Sequence, residues 1–271
     1  MGSIVVAFLL FVSRMYNYLL FHTLVELLTI TFAFCIFLLV LNSRTIIDNG
    51  YIKLIGIGCA VCAGIDLMHT LSFKGMNLFT GYDANLPTQL WIAARYLQAF
   101  TLVVAPFTIK RALRVNVLIV MFSLVATILV GAILSGNFPD CYREGFGLTT
   151  FKITSEYLIV ALIILSIVSL YRIKNSFNER TYRLLIAAAI SLVCAELAFT
   201  SYIGVYDFAN MLGHIFKLIS FYLVYRALFA TAISDPFSII FMELQQNEEQ
   251  LLVANAAIEN KVQEQTRELN V

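Results

Sequence analysis

Residues 115–135 read Val-Asn-Val-Leu-Ile-Val-Met-Phe-Ser-Leu-Val-Ala-Thr-Ile-Leu-Val-Gly-Ala-Ile-Leu-Ser, without one charged side chain. A helix rises about 1.5 Å per residue, so this stretch spans about 30 Å, the thickness of a bilayer's hydrocarbon core. Six further stretches have the same character: Phe21–Leu41, Ile52–Phe73, Thr88–Ile109, Ile153–Ile173, Leu184–Val205 and Met211–Ile233. The whole chain agrees with this reading. Of its 271 residues 60% are hydrophobic and 13% charged, where soluble domains run at about 45–50% and about 25%. Mean hydropathy is +0.85. A typical soluble enzyme, a disordered chain and a nucleic-acid binder are excluded. The net charge of +1 gives no global field to recruit a polyion. Five Cys in a chain this long do not form a disulfide framework. The expected fold is all-α: a polytopic transmembrane bundle of seven or eight spans, followed by a cytoplasmic coiled-coil helix. The eighth candidate, Ser3–Leu20, is apolar but short and carries Arg14 and Asn17. Residues 1–20 are therefore either an extra span or an interfacial helix, and residues 21–235 form the seven-span domain.

Lys and Arg in short loops set the orientation. One side holds Arg44, Lys53, Lys110, Arg111, Arg114, Arg172, Lys174, Arg180, Arg183 and Arg226; the other holds Lys74, Arg143 and Lys152. The richer side is expected in the cytoplasm, together with the C-terminus. Tyr82, Trp91, Tyr157 and Tyr202 then fall near the outer surface, as an aromatic belt would.

After Asp235-Pro236 the composition turns polar, with no Gly. Across residues 236–271, Leu244, Leu251 and Ile258 recur every seven residues, with Gln265 next in that series. Phe241, Glu248, Asn255, Val262 and Leu269 hold the companion heptad position. This predicts a coiled coil, and a polar Asn255 at an a position suits a parallel dimer in fixed register. The pattern implies a homodimer and a cytoplasmic output domain in cis.

Charged groups at mid-membrane cost about 2.5–3.5 kcal/mol each on insertion scales, so their presence asks for a reason. The chain has only three His, and each lies within a hydrophobic stretch: His22, His69 and His214. The orientation places all three near the outer boundary. Glu26 is four residues after His22 and Asp66 three before His69, so each pair shares a helix face. Glu196 and Glu156 enter the outer half on other spans, with Arg95 on the third and Lys217 three residues after His214. The fourth span brings no ionisable group. Imidazoles and carboxylates are the ligand types that Zn, Cu and Fe accept. The candidate ligands are His22, His69, His214, Glu26, Asp66 and Glu196, supported by Arg95, Glu156 and Lys217. Haem held by two of the His, a small polar ligand, or a purely structural network are the alternatives. Cys59-x-x-Cys62 lies mid-span and reads as packing, and Cys141 reads as a free or intermolecular thiol. No Walker loop, nucleophile elbow or kinase signature is present, so the chain holds no catalytic domain.

Several stretches resemble a known family. They are His22-Thr-Leu-Val-Glu26, Asp66-Leu-Met-His69-Thr-Leu-Ser-Phe-Lys-Gly-Met76, Gly81 to Leu97 with Trp91 and Arg95 within it, Phe138-Pro-Asp-Cys141, Ser155-Glu156-Tyr157, Glu196-Leu-Ala-Phe-Thr200 and Gly213-His214-Ile-Phe-Lys217. Together they resemble the third type of the bacterial membrane-associated sensor domains, over about residues 16–232. The resemblance implies an N-terminal sensory input in a bacterial inner membrane. It would serve a histidine kinase of a two-component system, a PAS-containing protein or a diguanylate cyclase. Ala257–Leu269 is similar to the signalling helix that precedes such outputs. The competing functions are a transporter or membrane metalloenzyme using the same cluster, and a membrane anchor that only dimerises an output. An absent repeat between the halves and a polar cluster confined to the outer half speak against transport.

Overall fold

The computed structural model describes residues 2–44, 49–201 and 206–229, together with 248 and 251. Within the described residues up to 229, eight α-helices follow one another: α1 (Gly2–Tyr16), α2 (Tyr18–Ser43), α3 (Gly50–Ser72), α4 (Asn85–Val104), α5 (Val115–Leu134), α6 (Thr150–Arg172), α7 (Glu179–Phe199) and α8 (Phe208–Phe229). Seven of them, α2 to α8, are long and apolar enough to cross a membrane. The short apolar helix α1, at about 1.5 Å per residue, falls well under a bilayer's depth. Asn17 separates it from α2 and caps that helix, its side chain accepting from the Leu19 amide.

Side-chain caps also open α3, α6 and α7. Asn49 accepts from the Tyr51 and Ile52 amides, Thr149 from Lys152 and Asn178 from Thr181. The Asn178 cap starts α7 five residues before the apolar run at Leu184, and the helix ends at Phe199. Glu196 is therefore three residues from the helix end. Pro87 sits in the first turn of α4, where a missing N–H breaks no helical bond.

The packing closes on itself. α2 packs on α3, α3 on α4, α4 on α6, α6 on α7, α7 on α8, and α8 back on α2. These six helices make a ring, while α1 lies outside against α2 and α5 outside against α3 and α4. Only 6% of α5 is buried, against 39–61% of the other spans. A helix that is apolar on every side has no face that prefers protein to lipid, which suits that outside place.

At the end of the ring where α2, α4, α6 and α8 begin, the loop after α5 folds back as a two-stranded hairpin, β1 (Tyr142–Arg143) and β2 (Gly147–Leu148). Two side chains of α4 fasten it. Asn85 accepts from the Cys141 and Tyr142 amides and donates to Asp140, and Gln89 donates to the Phe138 and Pro139 carbonyls. Cys141 is thereby fully buried, which leaves its thiol no surface for a partner chain. Burial also pushes that thiol up to about 12. On the rim, the Glu144 carboxylate accepts from Lys74 and raises its pKa.

The chain divides into two units, Met1–Phe229 and Ala230–Val271. The heptad positions Leu244, Asn255, Ile258, Val262 and Leu269 lie outside the described residues. Glu248 and Leu251 are described, and both are helical.

A candidate ligand site inside the helix ring

Every helix of the ring sends ionisable side chains into one layer near the hairpin end. α2 supplies His22 and Glu26, α3 Asp66 and His69, α4 Arg95, α6 Lys152 and Glu156, α7 Glu196, and α8 His214 and Lys217. All ten are 5% exposed or less, so each needs a partner or a reason.

Most of the charges are paired. Arg95 Nη2 reaches both Asp66 oxygens, at 2.7 and 2.6 Å. Lys217 Nζ lies 3.0 and 2.7 Å from the two oxygens of Glu26 and 3.0 Å from Asp66 Oδ2. Lys152 Nζ sits 2.8 Å from Glu156 Oε1 and also donates to the Phe199 carbonyl. Two cations lie over the Trp91 ring, Arg95 Cζ and Lys217 Nζ each 4.6 Å from its centre. Its indole N–H donates to Glu156 Oε1 at 3.2 Å.

The histidines differ from the charges in what they leave unspent. His69 Nδ1 lies 2.7 Å from the Pro87 carbonyl and His214 Nδ1 2.7 Å from Glu26 Oε1. Both acceptors lack a proton to give, so Nδ1 is the protonated nitrogen in each ring, and a neutral ring then carries its lone pair on Nε2. His69 Nε2 has no hydrogen-bond partner among the described residues, and neither does either nitrogen of His22. His22 stacks on Phe73 at 3.7 Å between ring centres. It lies 5.4 Å from the His69 ring and 4.6 Å from the His214 ring. One ligand atom each from His22, Glu26 and His69 falls within a 4.8 Å group. A narrow cavity of about 20 Å³ touches His69, His214, Trp91 and Lys152 and reaches Lys74 at the hairpin end. That is room for about one water molecule, and it opens a short way to the imidazoles.

The ten residues thus hold distinct places. His22, His69 and Glu26 converge, and His214 bonds Glu26 beside them. Asp66 is committed to Arg95 and Lys217, so both its oxygens are in use. Glu196 stands apart, beside Glu156. Both Glu196 oxygens and Glu156 Oε2 lack hydrogen-bond partners among the described residues. Two residues of the layer escaped the sequence reading. Trp91, expected in an interfacial belt, is 4% exposed at the heart of the layer, and Lys152, counted as a loop charge, is 1% exposed. The signal for both was the four-residue spacing, Trp91 to Arg95 and Lys152 to Glu156, which puts each pair on one helix face.

With this geometry in view, the profile of one family, described as a membrane-associated sensor domain, matches residues 13–236. The chain belongs to this family, MASE3. The matched region contains the whole ring and every residue of the buried layer. Comparison with curated proteins and with solved structures gives no match. As a MASE3 domain with seven apolar helices, the chain is a multi-pass membrane protein in a sensory input role.

Proposed function

We propose that this MASE3 domain detects a transition metal or small ligand at His22 and His69, with Glu26 and His214 beside them. It would pass the signal through α8 to a cytoplasmic output domain. The observation that carries the reading is the set of unspent imidazole nitrogens. A structural network would use its donors and acceptors within itself, as Asp66, Arg95 and Lys217 do. His22 offers two buried nitrogens and His69 one, all without partners among the described residues, and an anchor has no need of them. The tethers on His69 and His214 are the kind that fix ring orientation at metal sites, a backbone carbonyl in one case and a carboxylate in the other.

The route outward is α8. It carries His214 and Lys217 and packs against α2 and α7, so occupancy at His22 acts on the contacts that hold α8 in place. The residues after it lead into the heptad pattern, which we assign to a parallel dimer in the cytoplasm of a bacterial inner membrane. The output is of histidine kinase, PAS or diguanylate cyclase type. Switching requires the ligand to favour one packing over the other.

Elemental analysis of the purified chain, without a His tag, tests the binding half. The expected result is about one transition-metal atom per chain, lost on His22→Ala or His69→Ala. Metal-free protein after growth with added zinc, copper and iron would refute a metal site and leave a small ligand to be sought by thermal shift. For the signalling half, His69→Ala should insert normally yet abolish the ligand response of the full-length protein. An intact response would remove the function from this site.

A further inference from the structure

We infer that a groove between α1, α2 and α8 holds one phospholipid with an anionic headgroup, its phosphate on Arg14. This site is separate from the imidazoles and stands whether or not they bind a metal. Three observations carry it.

The first is shape. α1 packs on α2, and between it and α8 lies a groove of about 590 Å³ lined by all three helices. Val6 and Leu10 of α1, Phe21 and Phe32 of α2, and Met211 and Ile219 of α8 form its walls. Pockets that hold a defined small molecule run at about 300–1,000 Å³. An apolar groove left empty forfeits the contacts of every atom along its walls, and in a bilayer the filling at hand is hydrocarbon.

The second is depth. Along α2 the groove runs from Phe21 to Phe32, and along α8 from Met211 to Tyr222. Each run covers eleven residues, about 16 Å of helix. Half of a hydrocarbon core about 30 Å thick is about 15 Å. The groove thus has the depth of a single leaflet, as an acyl chain does. Its upper end, at Phe21 and Met211, lies where α2 and α8 begin, at the hairpin end.

The third is charge. Arg14 is the one charged residue lining the groove, and it stands two residues before the end of α1, near that upper end. Its guanidinium carbon is 5.0 Å from the Tyr18 ring centre. Among the described residues it has no carboxylate partner, whereas Arg95, Lys152 and Lys217 each have one. The planar fork of a guanidinium suits phosphate. A phospholipid of that leaflet brings a phosphate to the rim with its acyl chain already directed down the groove. A zwitterionic headgroup carries its own ammonium, which competes with Arg14 for the phosphate, so a net anionic headgroup fits better. Phe21 and Ile215, each next in sequence to His22 and His214, line the groove, so the lipid packs on the two helices that bear those imidazoles.

The full chain in detergent would be titrated with phosphatidylglycerol and, separately, with phosphatidylcholine of the same acyl chains. Native mass spectrometry would count bound lipid per chain. The expected result is one phosphatidylglycerol per chain, bound about fivefold more tightly than phosphatidylcholine, the scale of one cation's attraction to anionic lipid. Arg14→Gln should remove the preference and leave weak binding of both lipids. Ala7→Trp, which fills the groove from an exposed position on α1, should abolish that binding. Should either variant aggregate, phosphatidylglycerol with a diazirine in its acyl chain would label the wild-type chain, and the labels should fall on α1 and α8. Equal affinity for the two lipids, a preference that survives Arg14→Gln, or labels away from α1 and α8 would overturn the inference. So would a lipid-independent dimer lost in Ala7→Trp, which would seat a second copy of the chain in the groove.

Discussion

Replacing Lys217 by Met removes the cation that ties α8 to both α2 and α3. Its ammonium makes three close contacts, at 3.0 and 2.7 Å to Glu26 and 3.0 Å to Asp66. Without it Glu26 retains His214 and Asp66 retains Arg95, but the layer loses one of its positive charges and keeps every carboxylate. Removing one partner of a buried ion pair costs about 3–5 kcal/mol, because a charge is left behind uncompensated. At about 2–4 °C per kcal/mol for a domain near this size, melting should fall by about 6–20 °C. The assay is the fraction of detergent-solubilised chain that stays monodisperse on size-exclusion chromatography after heating. Adding Glu26→Gln to Lys217→Met removes one negative charge along with the positive one and restores the wild-type balance. The double variant should therefore be more stable than the sum of the single effects, by about 1–3 kcal/mol of coupling. A Lys217→Met protein melting within about 2 °C of the wild type, or strict additivity in the pair, would show that the layer does not behave as one charge network.

Three other perturbations have defined outcomes. Gly213 lets α7 and α8 approach, and a Cβ there would stand 2.4–2.7 Å from the Phe199 ring. Gly213→Ala should cost about 1–3 kcal/mol and disturb the adjacent His214, read as lowered melting and weakened metal binding. Deleting residues 2–16 should leave the ring folded, since α1 packs on α2 alone among the described helices outside weaker contacts; loss of a monodisperse protein would contradict that placement. Cys141 should resist maleimide between pH 7 and 9 although it lies outside the spans. With its pKa raised to about 12, the folded state favours the protonated thiol. That contribution is fully present below the ordinary thiol value of about 8.5 and is lost as pH climbs from there through the folded value. Asn85→Ala, which frees the Cys141 and Tyr142 amides, should open the thiol to labelling; equal labelling with and without Asn85 would argue against that fastening.

The spans were legible because lipid imposes one rule, about 20 apolar residues, that a sequence cannot hide. Which spans meet was partly legible too. Those with buried ionisable groups form the ring, and Val115–Leu134, which has none, lies outside it. The partner of each group was not legible, since pairs such as Glu26 with Lys217 or Asp66 with Arg95 join different helices, and spacing along the chain says nothing about them. Asp66 and Glu196 read as ligands on type and depth alone. Geometry shows the first saturated by two cations and the second facing Glu156. Trp91 and Lys152 were misplaced for a single reason: an amphipathic side chain near a span end suits an interface and a buried network equally well until the loop above it is known.

Trp91 is the one tryptophan of the chain. Arg95 and Lys217 both lie over its ring, and its centre is 5.5 and 5.7 Å from those of the His69 and His214 rings. All indole fluorescence of the protein therefore originates inside the buried layer. Two cations of fixed position set the local electric field on the indole, and any added or lost charge at the imidazoles changes it. The emission wavelength and yield thus read the charge state of the site directly, in detergent or in vesicles, with no label and no background from elsewhere in the chain.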